Sequence, residues 1–212
     1  MKICYIIGAG ELPLLYINNK KEHLTIAADG GLAALGGIKP DVIVGDFDSL
    51  GFVPDCQNTV KLPVEKDVTD MRSAVDIGFE KGYKCFVIYG GTGGRPDHTF
   101  ANYALLSYIA HKGGRGYLAG DGFIATAIEN ETLSLPLKKD GTVSVFAVEG
   151  DAQGVTIKGL KYTISDHNLS YSHTLGVSNS FTGREACVSA EKGKLLVFWE
   201  EENLANFVDN LN

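Results

Sequence analysis

Residues 85–98 read Cys85-Phe86-Val87-Ile88-Tyr89-Gly90-Gly91-Thr92-Gly93-Gly94-Arg95-Pro96-Asp97-His98. The first part of this stretch is an apolar, β-branched-rich run that leads into glycine, which is typical of a buried parallel strand. Residues 98–112 then carry apolar side chains at helical spacing, and a pair of glycines ends that pattern. The stretch therefore predicts a strand, a glycine-rich loop and a helix in succession.

The same alternation of strand and helix patterns runs through the first half of the chain. Three further apolar runs lead into Gly or Asp, and they cover residues 3–7, 24–28 and 42–44. A second helical pattern covers residues 69–81, where Thr69 can cap the start and Gly82 can stop the helix. Because strands that alternate with helices indicate βαβ units, we predict a doubly wound, mostly parallel α/β domain over residues 1–128.

The helical period disappears after about residue 129. Short segments of period-two character replace it, and they cover residues 131–137, 142–148, 154–157, 162–164 and 195–199. Turn signals such as Glu149-Gly150-Asp151 separate them. Regular short strands with turns between them indicate an antiparallel arrangement. We therefore predict a C-terminal antiparallel β-sandwich domain over residues 129–212.

The composition is that of an ordinary globular protein, with 44% hydrophobic and 21% charged residues. A net charge of −7 argues against a nucleic-acid partner, because such a surface requires a basic patch. No apolar run approaches the length of a membrane span. The four cysteines show neither metal-ligand nor disulfide-dense spacing. We expect a cytoplasmic protein with buried free thiols and no membrane partner.

Three Asp-bearing motifs follow strand-like runs, and they contain Asp46 with Asp48, Asp67 with Asp70, and Asp97. In an open parallel sheet such positions gather along one edge, where ligands bind. Converging carboxylates repel one another unless a divalent cation neutralises them, and oxygen ligands of this kind suit Mg²⁺. With the glycine loop, Lys66 and Arg95 nearby to meet a polyphosphate, the sequence predicts Mg²⁺-nucleotide chemistry.

Each motif also has a simpler explanation. Asp46 and Asp48, which an extended backbone would point to one side while Phe47 turns inward, could belong to a solvated turn. A haloacid-dehalogenase-like phosphatase also places D-x-D after a strand. The residues around Thr69 could serve only as helix caps, and His98 at a helix start is more often a cap-region residue than a base. The glycine loop lacks the ending of a P-loop, and Gly8-Ala9-Gly10 lacks the third glycine of a dinucleotide fingerprint.

Taken together and in order, the motifs resemble the thiamine pyrophosphokinase family, whose members transfer a pyrophosphoryl group from ATP to thiamine. The matching landmarks are Ala28-Asp29-Gly30-Gly31, Gly45-Asp46-Phe47-Asp48-Ser49, Lys66-Asp67-Val68-Thr69-Asp70, Gly93-Gly94-Arg95-Pro96-Asp97-His98, Gly159-Leu160-Lys161-Tyr162 and Gly176-Val177-Ser178-Asn179-Ser180-Phe181. The match runs along nearly the whole chain and includes both predicted domains. Each motif is weak alone, but their common order is specific.

The resemblance implies an ATP side and a thiamine side of one site, in a homodimer whose active sites lie between subunits. The implied catalytic residues are Asp46, Asp48, Asp70 and Asp97, of which Asp46, Asp48 and Asp97 would hold Mg²⁺. The implied ATP-side residues are Asp29, Lys66, Asp67, Thr69, Arg95, His98 and Asn102. The implied thiamine-side residues are Tyr162, which would stack on thiamine, Ser178 and Asn179. Asp70 or a neighbour is the candidate to take the hydroxyl proton. A metal-dependent phosphohydrolase and a non-catalytic nucleotide or thiamine sensor remain the alternatives.

Overall fold

The structure is a computed structural model that describes residues 1–18, 20–47, 58–63 and 67–211. The strands in these ranges are β1 (Ile3–Ile7), β2 (Leu24–Ala28), β3 (Val42–Gly45), β4 (Thr59–Lys61), β5 (Cys85–Tyr89), β6 (Arg115–Gly120), β7 (Phe123–Glu129), β8 (Thr132–Ser134), β9 (Thr142–Lys158), β10 (Ile164–Leu169), β11 (Asn179–Ser180), β12 (Cys187–Ser189) and β13 (Lys192–Glu200). The helices are α1 (Gly31–Ala34), α2 (Asp70–Glu80), α3 (Pro96–His111) and α4 (Leu204–Asn210).

The first six strands form a parallel sheet in the order β4-β3-β2-β1-β5-β6. The strand β1 lies in the middle and pairs with β2 on one side and with β5 on the other. The chain adds β2, β3 and β4 on one side of β1 and then crosses over to place β5 and β6 on the other side. The direction of the strand order therefore changes between β1 and β5, which makes this position a topological switch point. Open α/β sheets bind their ligands beyond the carboxyl ends of the strands at such a point.

Both faces of the parallel sheet are covered, which explains why its central strands are apolar throughout. Every residue of β1 and β5 is buried. On one face, Cys4 and Ile6 share a hydrophobic cluster with Val75 of α2. On the other face, Tyr5 belongs to a larger cluster that extends to Phe207 of α4. The C-terminal helix therefore packs in the same core as the first strand.

The sheet continues into the second half of the chain through β7. This strand pairs antiparallel with β6 on one side and with β13 on the other. The strand β13 in turn pairs with β9. One sheet thus passes through the predicted domain boundary between residues 128 and 129, and that boundary remains a prediction. Neither β6 nor β7 was recognised as a strand in the sequence.

The strand β9 has 17 residues and belongs to two sheet layers. Residues 143–148 and Gln153 pair with β13, whereas residues between 152 and 158 pair with β10 and β12. Between them Glu149 and Gly150 have φ angles of 59° and 132°, and these bend the strand from one layer to the other. The expectation of two strands separated by a turn was therefore wrong, because the chain keeps its direction through the bend and pairs antiparallel with β13 on both sides of it.

The two layers close over a shared core, as a sandwich requires. Val145 from the first part of β9, Ile157 from its second part, Val188 of β12 and Trp199 of β13 belong to the same cluster of buried side chains. The architecture thus agrees with the predicted α/β part followed by an antiparallel sandwich. Within the described ranges, no helix combines the length and the apolar character needed to cross a membrane.

Candidate active site

A pocket of about 360 Å³ opens at the switch point of the parallel sheet. Its walls come from the loops after β1, β2 and β5 and from the first turns of α2 and α3. The predicted site residues that line it are Asp29, Thr69, Arg95, His98 and Asn102 from the ATP side and the catalytic candidate Asp70. Separate loops of the chain thus meet at one place, as the strand order requires.

The loops after β1 and β5 cross in close backbone contact. Gly8 N donates to Tyr89 O at 2.8 Å, and Gly10 N donates to Gly90 O at 2.9 Å. A Cβ on Gly8 would lie 2.7 Å from Gly90 O, so no larger residue fits there. Gly8-Ala9-Gly10 lacks the spacing of a dinucleotide fingerprint, yet all three residues line the pocket. The missed signal was their position directly after the central strand.

The first turns of α2 and α3 both line the pocket. The predicted Thr69 cap is confirmed, since Thr69 Oγ1 accepts from Arg72 N at 3.2 Å. Asn102 is buried on α3, and its Nδ2 donates to Gly91 O at 2.8 Å, which fixes the glycine loop to the helix. The unpaired N–H groups and the dipole of a helix N-terminus attract anions. The pocket is therefore suited to a phosphate chain.

Arg95 and Asp97 form an ion pair at the rim of the pocket. Arg95 Nη2 lies 2.6 Å from Asp97 Oδ2, and Arg95 Nε lies 3.2 Å from Asp97 Oδ1. The guanidinium holds the pKa of the Asp97 carboxyl below its usual value. Both side chains are largely exposed, so the pair can open to admit a charged ligand. Of the two, Arg95 lines the pocket and Asp97 does not.

Asp46 follows the end of β3, but the backbone geometry expected for its motif is wrong. Phe47 has a φ of 62°, in the left-handed region, so the chain is not extended there. The Phe47 side chain is only 2% exposed, and burial of this ring holds the unusual conformation in place. The predicted residues Asp48 and Lys66 lie outside the described residues. Asp46 and Asp67 are described but do not line the pocket.

A magnesium site at this edge of the sheet would draw on the carboxylates of this region. Among the described residues, no three or more His, Cys, Asp or Glu side chains are grouped so that they could hold a metal ion. Mg²⁺ in nucleotide sites takes only one or two protein carboxylates, together with substrate phosphates and water. Asp29 and Asp70 line the pocket, and Asp46 follows the neighbouring strand β3. These are oxygen ligands of the kind that suits Mg²⁺ bound together with a polyphosphate. Of the three residues predicted to hold the ion, Asp46 and Asp97 are described and neither lines the pocket, and Asp48 lies outside the described residues, so that ligand set remains a prediction.

The thiamine-side residues lie in the second half of the chain and are not among those that line the described pocket. The Tyr162 ring is 60% exposed, and Lys161 Nζ lies 5.3 Å from its centre. Residues 162–164 were expected to form a strand, but β10 begins only at Ile164. The reason is that Asn179 binds both backbone groups of Tyr162, which are therefore not available to a strand. Ser178, with a φ of 58°, donates its N–H to Ser144 Oγ at 3.2 Å.

Two models of one protein family match the chain in succession. The one described as "Thiamin pyrophosphokinase, catalytic domain" matches residues 16–118, and the one described as "Thiamin pyrophosphokinase, vitamin B1 binding domain" matches residues 130–195. The chain belongs to the thiamin pyrophosphokinase family. The curated thiamine pyrophosphokinase of Bacillus subtilis (strain 168) is 28% identical, and the alignment covers 93% of this chain and 98% of that protein.

Solved structures of thiamin pyrophosphokinases share the fold. The Bacillus subtilis enzyme superposes with a TM-score of 0.81 at 24% identity, over 95% of this chain and all of that one. The Geobacillus thermodenitrificans enzyme has a TM-score of 0.81 at 27% identity, over 96% and 99% of the two chains. The Candida albicans enzyme has a TM-score of 0.74 at 14% identity, over 94% and 89%. The predicted family and fold class are confirmed, whereas the roles of the individual site residues remain predictions.

Proposed function

We propose that the chain transfers the pyrophosphoryl group of ATP to the hydroxyl of thiamine, giving thiamine diphosphate and AMP. The observation that carries the proposal is the match of both halves of the chain, in order, to the catalytic and vitamin-binding parts of one family. The geometry of the pocket at the switch point also supports the proposed reaction. Glycine-rich backbone, two helix starts and an arginine meet there, as a triphosphate requires.

On the ATP side, the protein aligns the phosphates and balances their charge. The N-terminal turns of α2 and α3 and the backbone of residues 90–94 would contact phosphate oxygens. Arg95 would exchange its bond to Asp97 for bonds to a phosphate, as planar guanidinium groups do readily. Asp46, Asp48 and Asp97 would hold Mg²⁺. When bound, the ion supplies charge neutralisation and a fixed arrangement of the phosphates.

The chemical step requires no protein nucleophile. The primary hydroxyl oxygen of thiamine forms a bond to the β-phosphorus of ATP. The bond from the β-phosphorus to the oxygen that joins it to the α-phosphorus breaks, and AMP leaves with that oxygen. The hydroxyl proton goes to a carboxylate, for which Asp70 at the start of α2 is our candidate. The protein accelerates this reaction mainly through alignment and electrostatic stabilisation, as in other phosphoryl transfers.

The thiamine side completes the proposal. The exposed Tyr162 ring would stack on thiamine, with Ser178 and Asn179 beside it. None of these three residues lines the nucleotide pocket of the described chain. A second subunit would therefore bring its thiamine-side residues to the ATP side of the first. We therefore propose a homodimer with active sites at the subunit interface. A cytoplasmic location is part of the proposal, supported by the buried free thiols of Cys4 and Cys85.

The nucleotide product tests the proposed function directly. Purified full-length chain is incubated with ATP and Mg²⁺, with and without thiamine, and the nucleotides are separated by chromatography. We expect AMP to form only when thiamine is present, together with thiamine diphosphate in equal amount. Formation of ADP would indicate transfer of a single phosphoryl group. Release of inorganic phosphate without thiamine would instead support a phosphohydrolase, and either result would contradict the proposal.

A further inference from the structure

The C-terminal helix α4 is bonded to the irregular segment that follows β1. Tyr16 Oη donates to the Asp209 carboxylate, with both oxygens at 2.9 Å, and Asn18 Nδ2 donates to Asp209 Oδ1 at 3.0 Å. The helix itself is anchored by the buried side chains of Phe207 and Val208. Asp209 therefore accepts hydrogen bonds from two residues of a distant segment and joins that segment to a helix that is packed in the core.

The same segment begins in the wall of the nucleotide pocket. Gly10 N donates to Gly90 O at 2.9 Å, and Glu11 N donates to Thr92 O at 2.8 Å, so residues 10 and 11 are bonded to the glycine loop. The next residue, Leu12, packs against Gly90, because its Cδ2 would lie 3.2 Å from a Cβ there. A displacement of residues 12–18 would therefore also shift the glycine loop.

A third contact joins the middle of the segment to the end of β5. Tyr89 Oη donates to Tyr16 O at 2.5 Å, and Tyr89 is the last residue before the glycine loop. Asn18 N donates to Tyr5 Oη at 3.3 Å, which joins the segment to β1 as well. Tyr16 is thus held at its carbonyl by the strand that leads into the pocket and at its hydroxyl by Asp209.

We propose that Asp209 is a positioning residue for the nucleotide pocket, which acts through Tyr16 and Asn18 on the loops that cradle the phosphates. This inference rests on the proposed function, since it assigns the pocket to ATP. Residues 12–18 form neither helix nor strand, so side-chain hydrogen bonds and the packing of Leu12, Leu15, Tyr16 and Ile17 on the core hold the segment in place. A tyrosine hydroxyl is protonated at neutral pH and can donate, and the hydrogen bond to Asp209 raises the pKa of Tyr16 further.

The test compares Tyr16→Phe and Asp209→Asn with the wild-type chain. Tyr16→Phe removes only the donor hydroxyl, and Asp209→Asn removes the charge and one acceptor oxygen. The matched control is Asn210→Ala, an exposed neighbour on the same helix. The measurements are ATP affinity by calorimetry with Mg²⁺ and no thiamine, the KM values for ATP and for thiamine, and the melting temperature.

We expect both variants to weaken ATP binding and raise the KM for ATP roughly three- to tenfold, with the KM for thiamine changed less than about twofold. The double variant should bind ATP no more weakly than the worse single variant, because both changes break the same connection. Unchanged ATP affinity together with a lower melting temperature would show a purely structural bond and overturn the inference. A wild-type chain that binds no ATP would overturn the proposed function and this inference with it.

Discussion

Asn179 holds Tyr162 by both of its backbone groups. Tyr162 N donates to Asn179 Oδ1 at 2.9 Å, and Asn179 Nδ2 donates to Tyr162 O at 2.7 Å. Asn179 is only 4% exposed, whereas Tyr162 is 60% exposed. A buried amide thus fixes the backbone from which an exposed aromatic ring projects. The ring is presented to solvent in a defined place, as a stacking platform for a ligand requires.

The first prediction concerns the Tyr162 ring. Stacking of a cationic ligand on a desolvated aromatic face contributes on the order of 1–2 kcal/mol, so Tyr162→Ala should raise the KM for thiamine roughly five- to thirtyfold. The KM for ATP should change much less. Tyr171→Ala is the matched control, because Tyr171 is also 60% exposed in the same half of the chain. A lower melting temperature with unchanged thiamine dependence would place the thiamine pocket elsewhere.

The second prediction concerns the carboxylates assigned to Mg²⁺. Asp46→Ala, Asp48→Ala and Asp97→Ala should each lower kcat roughly a hundredfold or more, because the phosphate charge is then poorly neutralised. Circular dichroism should show an intact fold. Asp121→Ala, which changes an exposed carboxylate in the β6–β7 turn, serves as the control. Near-wild-type turnover of any one variant under limiting Mg²⁺ would remove that residue from the site.

The third prediction concerns the crossing of the two glycine loops. A Cβ on Gly8 would lie 2.7 Å from Gly90 O, so Gly8→Ala must push the loops apart. We expect the KM for ATP to rise roughly tenfold to a hundredfold, because even a small misplacement of a binding loop weakens the contacts with its ligand. Gly36→Ala is the control, since Gly36 has a φ of 55° but open space around it. Equal effects of the two changes on ATP binding would contradict the steric argument.

The fourth prediction concerns a brace between α2 and α3, the two helices that begin at the pocket. Tyr108 Oη donates to Asp76 Oδ1 at 2.6 Å, Arg72 Nε donates to Asp76 Oδ2 at 3.0 Å, and the Arg72 guanidinium lies over the Tyr108 ring. Burial, followed by the bond to Asp76, raises the pKa of Tyr108 above its usual 10.0. Tyr108→Phe should lower the free energy of unfolding by about 1 kcal/mol at neutral pH.

The sign of the pH dependence follows from the raised pKa of Tyr108. The folded chain binds this proton more tightly than the unfolded chain, so the stabilisation is complete below pH 10 and is lost as the pH rises through the raised pKa. Urea unfolding of wild type and Tyr108→Phe should therefore converge in strongly alkaline buffer. A difference that grows with pH would show that the phenol proton is not involved.

The fifth prediction concerns the homodimer. Apolar side chains next to the implied thiamine-side residues are exposed, among them Leu175 and Val177. Exposed apolar patches of this kind mark interfaces or ligand sites. Sedimentation velocity should show a dimer at assay concentration, and Leu175→Glu should weaken dimerisation and activity in parallel, because a charge is then buried at the interface. A fully active monomer would refute the shared active site.

The strands and helices of the first half could be predicted from the sequence because their environment is uniform. β1, β2 and β5 have the predicted bounds, since strands covered on both faces are apolar at nearly every position. The start of α2 was predicted as well, because Thr69 is a local cap whose bond spans only three residues. In the second half, two predicted strands are one bent strand, because the chain bends at Glu149 and Gly150 without reversing its direction and pairs with β13 on both sides of the bend.

The sequence by itself determined the family and the fold class, because these follow from local patterns and from their order along the chain. Only the tertiary structure decided that Gly8-Ala9-Gly10 lines the pocket and that Asn179 fixes Tyr162. It alone joined Tyr16 to Asp209, which are 193 residues apart. Such contacts arise because the core folds distant segments onto one another, and no local pattern records which of them become neighbours.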